Sequence, residues 1–172
     1  FGDKRIQVNL ADGLRAVMAD GNDLRVAPGC GFETAIEGGM ATAVAAANEA
    51  DVVLLAVGEP QGYSGEAQSR HQIVLPAVQQ QLAEAIAATG KPVVVLLRNG
   101  RALALEGAVR DAQAIVVTWF LGSQTGNAVA DLVFGDFNPC GKLPVSFPSL
   151  VGQQPLYYNR TRTGRPELPD MT

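Results

Sequence analysis

Histidine is almost missing from this 172-residue chain, with His71 its single example. One imidazole argues against a His-rich metal site, and it leaves none for a Ser-His-Asp triad elsewhere in the chain. Cysteine is nearly as scarce. Cys30 and Cys140 fit no metal-binding spacing and do not make a disulfide framework, so they read as two unpaired small hydrophobes. Runs of basic residues are absent as well. Thirteen Lys and Arg stand scattered against seventeen Asp and Glu, a formal net charge of −4, which argues against nucleic acid or an anionic membrane as partner. The longest apolar stretches, such as Val52–Val57 and Val93–Leu97, fall far short of the roughly 20 residues that span a bilayer. Neither GxGxxG nor GxxxxGK[ST] occurs, which weakens a nucleotide-binding reading. No charged start followed by an apolar stretch opens the chain at Phe1-Gly-Asp-Lys4, and no initiating Met is present. The expectation is a piece of a longer protein, in which a missing signal says nothing of compartment.

What is plentiful is apolar residue, 47% against 17% charged, enough for a sizeable core. The length suits one domain spanning 1–172. Its pattern alternates strand and helix. Asp51–Val57, Pro92–Leu97 and Ala114–Phe120 are continuous Val- and Leu-rich runs closed by Gly58, Asn99-Gly100 and Gly122, as expected of strands buried on both faces. Leu24–Ala27 is a shorter strand candidate ahead of them. Helices are predicted over Ala11–Ala19, Met40–Ala50, Pro76–Thr89 and Thr125–Phe134. The third has Pro76 at its first position and Gly90 past its end, with Val78, Leu82, Ala85 and Ile86 forming the stripe that docks on the sheet. The fold class is therefore α/β, a mostly parallel sheet with helices on both faces. From Asn138 the turn-rich sequence reads as an extended C-terminal tail wrapping over the domain.

In such sheets, ligand-contacting residues gather in loops beyond the carboxyl ends of the strands. The longest is Gly58–Ile73, which carries Glu59, Tyr63, Ser64, Glu66, Ser69, Arg70 and His71. Arg70 is read either as pairing with Glu59 or Glu66 to organise the loop, or as solvated. His71 reads as a surface or loop-packing residue. Asn99 and Arg101 either shape a cleft or form a plain turn. No metal ligand set and no cofactor are expected.

Several segments in order carry a family resemblance. They are Ala56–Arg70 with its Ser64-Gly65-Glu66, Ile73-Val-Leu-Pro76, Thr89-Gly-Lys-Pro92, Leu97-Arg-Asn-Gly-Arg101 and Thr118-Trp-Phe-Leu-Gly122. Gly126–Asp136, Asn138–Pro148, Tyr157-Tyr158 and Thr163-Gly-Arg-Pro166 continue the series. Together they resemble the second, α/β domain of glycoside hydrolase family 3 enzymes of the bacterial periplasmic β-glucosidase type.

The resemblance implies a retaining β-glucosidase built from two domains, cutting terminal β-linked glucose from oligosaccharides or glucosides. A barrel domain of the same protein carries the aspartate nucleophile, and the α/β domain lends a glutamate as general acid/base. Glu66 matches the family's Ser-Gly-Glu context and lies mid-loop; Glu59 is the alternative. Tyr63, Ser64 and Arg70 are expected to bind substrate or organise the loop. The family's nucleophile-bearing Ser-Asp-Trp stretch is absent from this chain, whose single tryptophan, Trp119, falls in a predicted strand. The chain alone is therefore expected to be inactive, and the full-length protein to be periplasmic or secreted. A competing reading is a non-catalytic carbohydrate-binding or interaction module of the same fold. A flavodoxin-like nucleotide binder is suggested by fold alone, and fold does not imply function.

Overall fold

A computed structural model describes residues 4–159 of the chain. The last segment of family resemblance, Thr163–Pro166, lies outside the described residues. Three strands, β1 (Val53–Gly58), β2 (Val93–Arg98) and β3 (Ala114–Val117), form a parallel sheet in the order β1-β2-β3. The helices are α1 (Leu10–Val17), α2 (Gly39–Glu49), α3 (Ala77–Ala87), the short α4 (Gly107–Arg110) and α5 (Thr125–Phe134). This is the open α/β sheet flanked by helices that the alternating pattern predicts.

Alternate strand residues meet the helices. Leu55 and Val57 of β1 and Val93, Val95 and Leu97 of β2 share one buried cluster with Ala43 and Ala47 of α2, Leu82, Ala83 and Ile86 of α3, and Val109 of α4. The alanines keep α2 slim on this face. Elsewhere α1 packs on α5, where Leu14, Val129 and Ala130 are buried. Helix α1 starts cleanly because Asn9 accepts from the Asp12 amide at 3.0 Å while donating to the Asp12 carboxylate at 2.7 Å.

Three expectations need correction. Leu24–Ala27 belongs to no strand: a strand needs a ladder partner for its amides and carbonyls, and none of the described residues pairs there. Arg25 instead reaches Asp23 and Glu49. The third strand ends at Val117, not Phe120. Thr118 still donates to the Leu97 carbonyl at 2.8 Å, but Trp119 turns into the left-handed region at φ 49° and leaves the ladder. On α3, the buried stripe is Gln79, Leu82, Ala83 and Ile86. It is rotated from the predicted one so that it includes a polar side chain, and Pro76 caps the helix instead of beginning it.

Between Asn138 and Asn159 the described chain is largely irregular and exposed, with a 3-10 turn at Val151–Gln153. Phe147 anchors it, packing against the core and meeting the Trp119 ring at 6.0 Å.

Candidate active site

Strand register decides which loops converge. Gly58 pairs with Arg98, and Leu97 with Val117. The residues that follow these positions therefore leave the sheet together at its carboxyl end: Glu59 after β1, Asn99–Arg101 after β2, Thr118 and Trp119 after β3. Close approach at this edge requires glycine. A Cβ on Gly58, whose φ is +149°, would overlap the Arg98 carbonyl. A Cβ on Gly100 would overlap Ser64, whose side chain lies directly over it.

Glu59 forms the floor of the site. It is 0% exposed, and its carboxylate faces donors. Arg70 Nη1 donates to Oε1 at 3.4 Å, and the Gly100 amide to Oε2 at 3.4 Å. Arg101 Nε stands 3.5 Å from Oε1, an ion-pair contact without hydrogen-bond geometry. A buried carboxylate demands such company. The geometry gives this side chain the task of holding its neighbours.

The loop above is built on that floor. A 3-10 turn at Gln61–Tyr63 carries the chain outward, and the Tyr63 carbonyl accepts from Arg101 Nη2. The Tyr63 ring lies under the Arg70 guanidinium, 4.3 Å from its centroid. Its phenol is pushed above the ordinary range, chiefly because its hydroxyl donates to the Glu33 carboxylate, with burial adding to the effect. Ser64 Oγ is buried and has no hydrogen-bond partner among the described residues.

Glu66 occupies the tip. It stands between Gly65 at φ 118° and Ala67 at φ 58°, in a turn closed by the Gln68 amide donating to the Gly65 carbonyl at 3.2 Å. A non-glycine residue in the left-handed region costs of order 1–3 kcal/mol, so the tight corner that projects Glu66 is held against that cost. Glu66 is exposed, as is His71.

Of the five residues singled out from sequence, Glu59, Tyr63, Ser64 and Arg70 come together at the loop base, and Glu66 stands apart at the tip. Arg70 takes the first of its two expected partners, Glu59. Asn99 and Arg101, read from sequence as either cleft-shaping or a plain turn, join the site, and the Gly100 amide is the contributor that sequence reasoning left out. Asn99 is fully buried and donates to the Arg101 carbonyl at 2.6 Å. The signal was the Asn-Gly-Arg run at a strand end, which reads equally as a turn. Beside this cluster opens a groove of about 740 Å³, lined by Ile73, Gly100, Arg101, Trp119, Val145 and Gln154 among others. Among the described residues no three His, Cys, Asp or Glu side chains are grouped to hold a metal ion, and no helix is long and apolar enough to cross a membrane.

An acidic, exposed loop tip over a clamped base at the carboxyl end of a parallel sheet stands where ligand-contacting residues of such sheets gather. The chain belongs to the family described as "Glycosyl hydrolase family 3 C-terminal domain", whose model matches residues 2–169. It is 55% identical over 128 residues to a periplasmic beta-glucosidase of Salmonella typhimurium, covering 74% of this chain and 17% of that protein. A beta-xylosidase of Formosa agariphila is 40% identical over 151 residues, 88% of this chain and 21% of that protein. The crystal structure of a beta-glucosidase from Listeria innocua in complex with isofagomine superposes with a TM-score of 0.86 at 39% identity, over 98% of this chain and 23% of that one. The chain thus spans about one fifth of the length of the relatives it matches.

Proposed function

We propose that this chain is the acid/base-bearing α/β domain of a retaining β-glucosidase, with Glu66 as the catalytic carboxyl group. The observation that carries the reading is the division of labour between two glutamates. Glu59 is buried among donors, whereas Glu66 is presented at the tip of a sharp turn. The 55% identical Salmonella typhimurium relative and the superposed Listeria innocua structure, both named beta-glucosidases, favour a β-glucoside as substrate, and the periplasmic relative favours a periplasmic or secreted setting.

In the proposed reaction an aspartate of a barrel domain, in the same protein but outside this chain, attacks the anomeric carbon. Glu66 gives its proton to the departing glycosidic oxygen, and a covalent glycosyl-enzyme forms. The Glu66 carboxylate then takes a proton from water as the water oxygen displaces the aspartate. The two carboxyl groups of a retaining pair stand about 5–5.5 Å apart, which requires the barrel domain to close over the exposed tip. That closure would also supply the burial that keeps such an acid protonated. The chain alone would then have no glycosidase activity.

The test is hydrolysis of p-nitrophenyl β-glucoside by the full-length protein, wild type against Glu66→Ala and Glu59→Ala, with azide added. Loss in Glu66→Ala, restored by azide with formation of glycosyl azide, is the expected result. Azide rescue in Glu59→Ala instead would transfer the role to Glu59. Full activity in both would remove the loop from the chemistry and favour a carbohydrate-binding module.

A further inference from the structure

We propose that Arg101 is a positioning residue for the acid, setting the pose of Glu66 from outside the loop that carries it. This role rests on Glu66 being the acid/base. Arg101 follows β2, not β1, so it belongs to the rigid sheet side of the site. Its guanidinium makes two contacts at once: Nη2 donates to the Tyr63 carbonyl, three residues ahead of Glu66, and Nε faces the buried Glu59 carboxylate at 3.5 Å. A planar fork can hold both directions together, which a lysine ammonium cannot.

The surrounding geometry leaves the seat little freedom. Asn99 holds the Arg101 backbone by donating to its carbonyl at 2.6 Å. The Gly100 amide is spent on Glu59, and Ser64 lies over Gly100 at a distance only glycine permits. The entry to the Glu66 turn, Tyr63-Ser64, is therefore fixed to the end of β2. Its exit, Arg70, is fixed to the same Glu59 at 3.4 Å. Within this set it is Arg101 that ties the entry backbone of the turn to the buried anion. Releasing it would let the tip swing while Arg70 still holds the far end.

A misplaced acid has a signature that general loosening lacks. Proton donation matters most when the leaving group is poor, so mispositioning slows phenyl β-glucoside far more than 2,4-dinitrophenyl β-glucoside, whose leaving group departs without a proton. The experiment measures kcat/KM of full-length wild type, Arg101→Ala, Arg101→Lys and Glu66→Ala on both substrates. Within one preparation the ratio of the two values is independent of the fraction of folded enzyme. The expected result is at least a ten-fold greater loss on the phenyl substrate for Arg101→Ala, in the same direction as Glu66→Ala, with a smaller bias for Arg101→Lys. Equal losses on both substrates in the two Arg101 variants, or no loss, would overturn the positioning role while leaving Glu66 in place. Absence of any leaving-group bias in Glu66→Ala itself would bring down the acid assignment and, with it, this inference.

Discussion

Gln79 of α3 grips both backbone groups of Gly58 at the end of β1. Its Oε1 accepts from the Gly58 amide at 2.7 Å, and its Nε2 donates to the Gly58 carbonyl at 2.9 Å. The same Nε2 donates to the Phe32 carbonyl at 2.8 Å, and the side chain is only 3% exposed. One amide thus does for the outer edge of β1 what a neighbouring strand would do. Replacing it by Gln79→Leu leaves buried backbone groups unsatisfied, at about 1–3 kcal/mol for each group. Hydrogen exchange on the full-length protein should show the Gly58 amide losing roughly ten-fold or more of its protection, with amides in mid-β2 unchanged.

Glu59→Ala should destabilise strongly, because it leaves the Arg70 and Arg101 guanidinium groups facing a cavity without their anion. Removing one partner of a buried pair costs about 3–5 kcal/mol, and the partial exposure of both arginines places this case toward the lower end. Thermal unfolding should show a clearly reduced Tm. Adding salt to the wild type should not reproduce the loss, since a buried carboxylate is poorly screened.

Tyr63 predicts an alkaline effect. Its phenol is held above the ordinary value of about 10 mainly by the hydrogen bond to Glu33. A pKa raised on folding gives stability that is complete below the unfolded value and is lost as pH rises through the folded one. Glu33→Gln should therefore lower the Tyr63 titration midpoint. The change would be read as phenolate absorbance after subtracting the curve of Tyr63→Phe, and stability above pH ~10 should become less pH-sensitive.

The two free cysteines should differ in reactivity. Cys140 is exposed, whereas Cys30 is half-buried and burial pushes its thiol up, which lowers the thiolate fraction at neutral pH. Brief treatment with iodoacetamide at pH 7.5, followed by peptide mass spectrometry, should find Cys140 alkylated well before Cys30.

The strands are legible in the sequence because short Val- and Leu-rich runs bounded by glycine fit little besides a buried strand, and β1, β2 and α5 lie close to where their patterns put them. The departures share a cause: hydrophobicity does not report backbone angle or pairing partner. Trp119 looks like a strand residue until its left-handed φ appears, and Leu24–Ala27 looks like a strand until no ladder forms beside it. On α3 the apolar pattern misplaces the stripe because it passes over Gln79, whose value lies in its two-sided amide. In the site, the loop and its charged residues are legible. The pairing of Glu59 with Arg101 is not, because those residues are brought together by strand register and not by spacing along the chain.

The ion pair between Glu59 and Arg70, eleven residues apart, closes the acidic loop into a ring whose base is sealed from water on one side. For such a ring the entropic penalty of lengthening is small, about 0.6 kcal/mol for each doubling. The stretch from Gly65 to Ser69 is exposed, so residues inserted or deleted there would leave the seal intact. The flanks of Glu66 are in this sense adjustable. Chimeras that lengthen or shorten Ala67–Ser69 while keeping Glu66 should keep the scaffold while altering how far the tip reaches, a route by which selection or an engineer can reset the reach of the acid without renegotiating the fold.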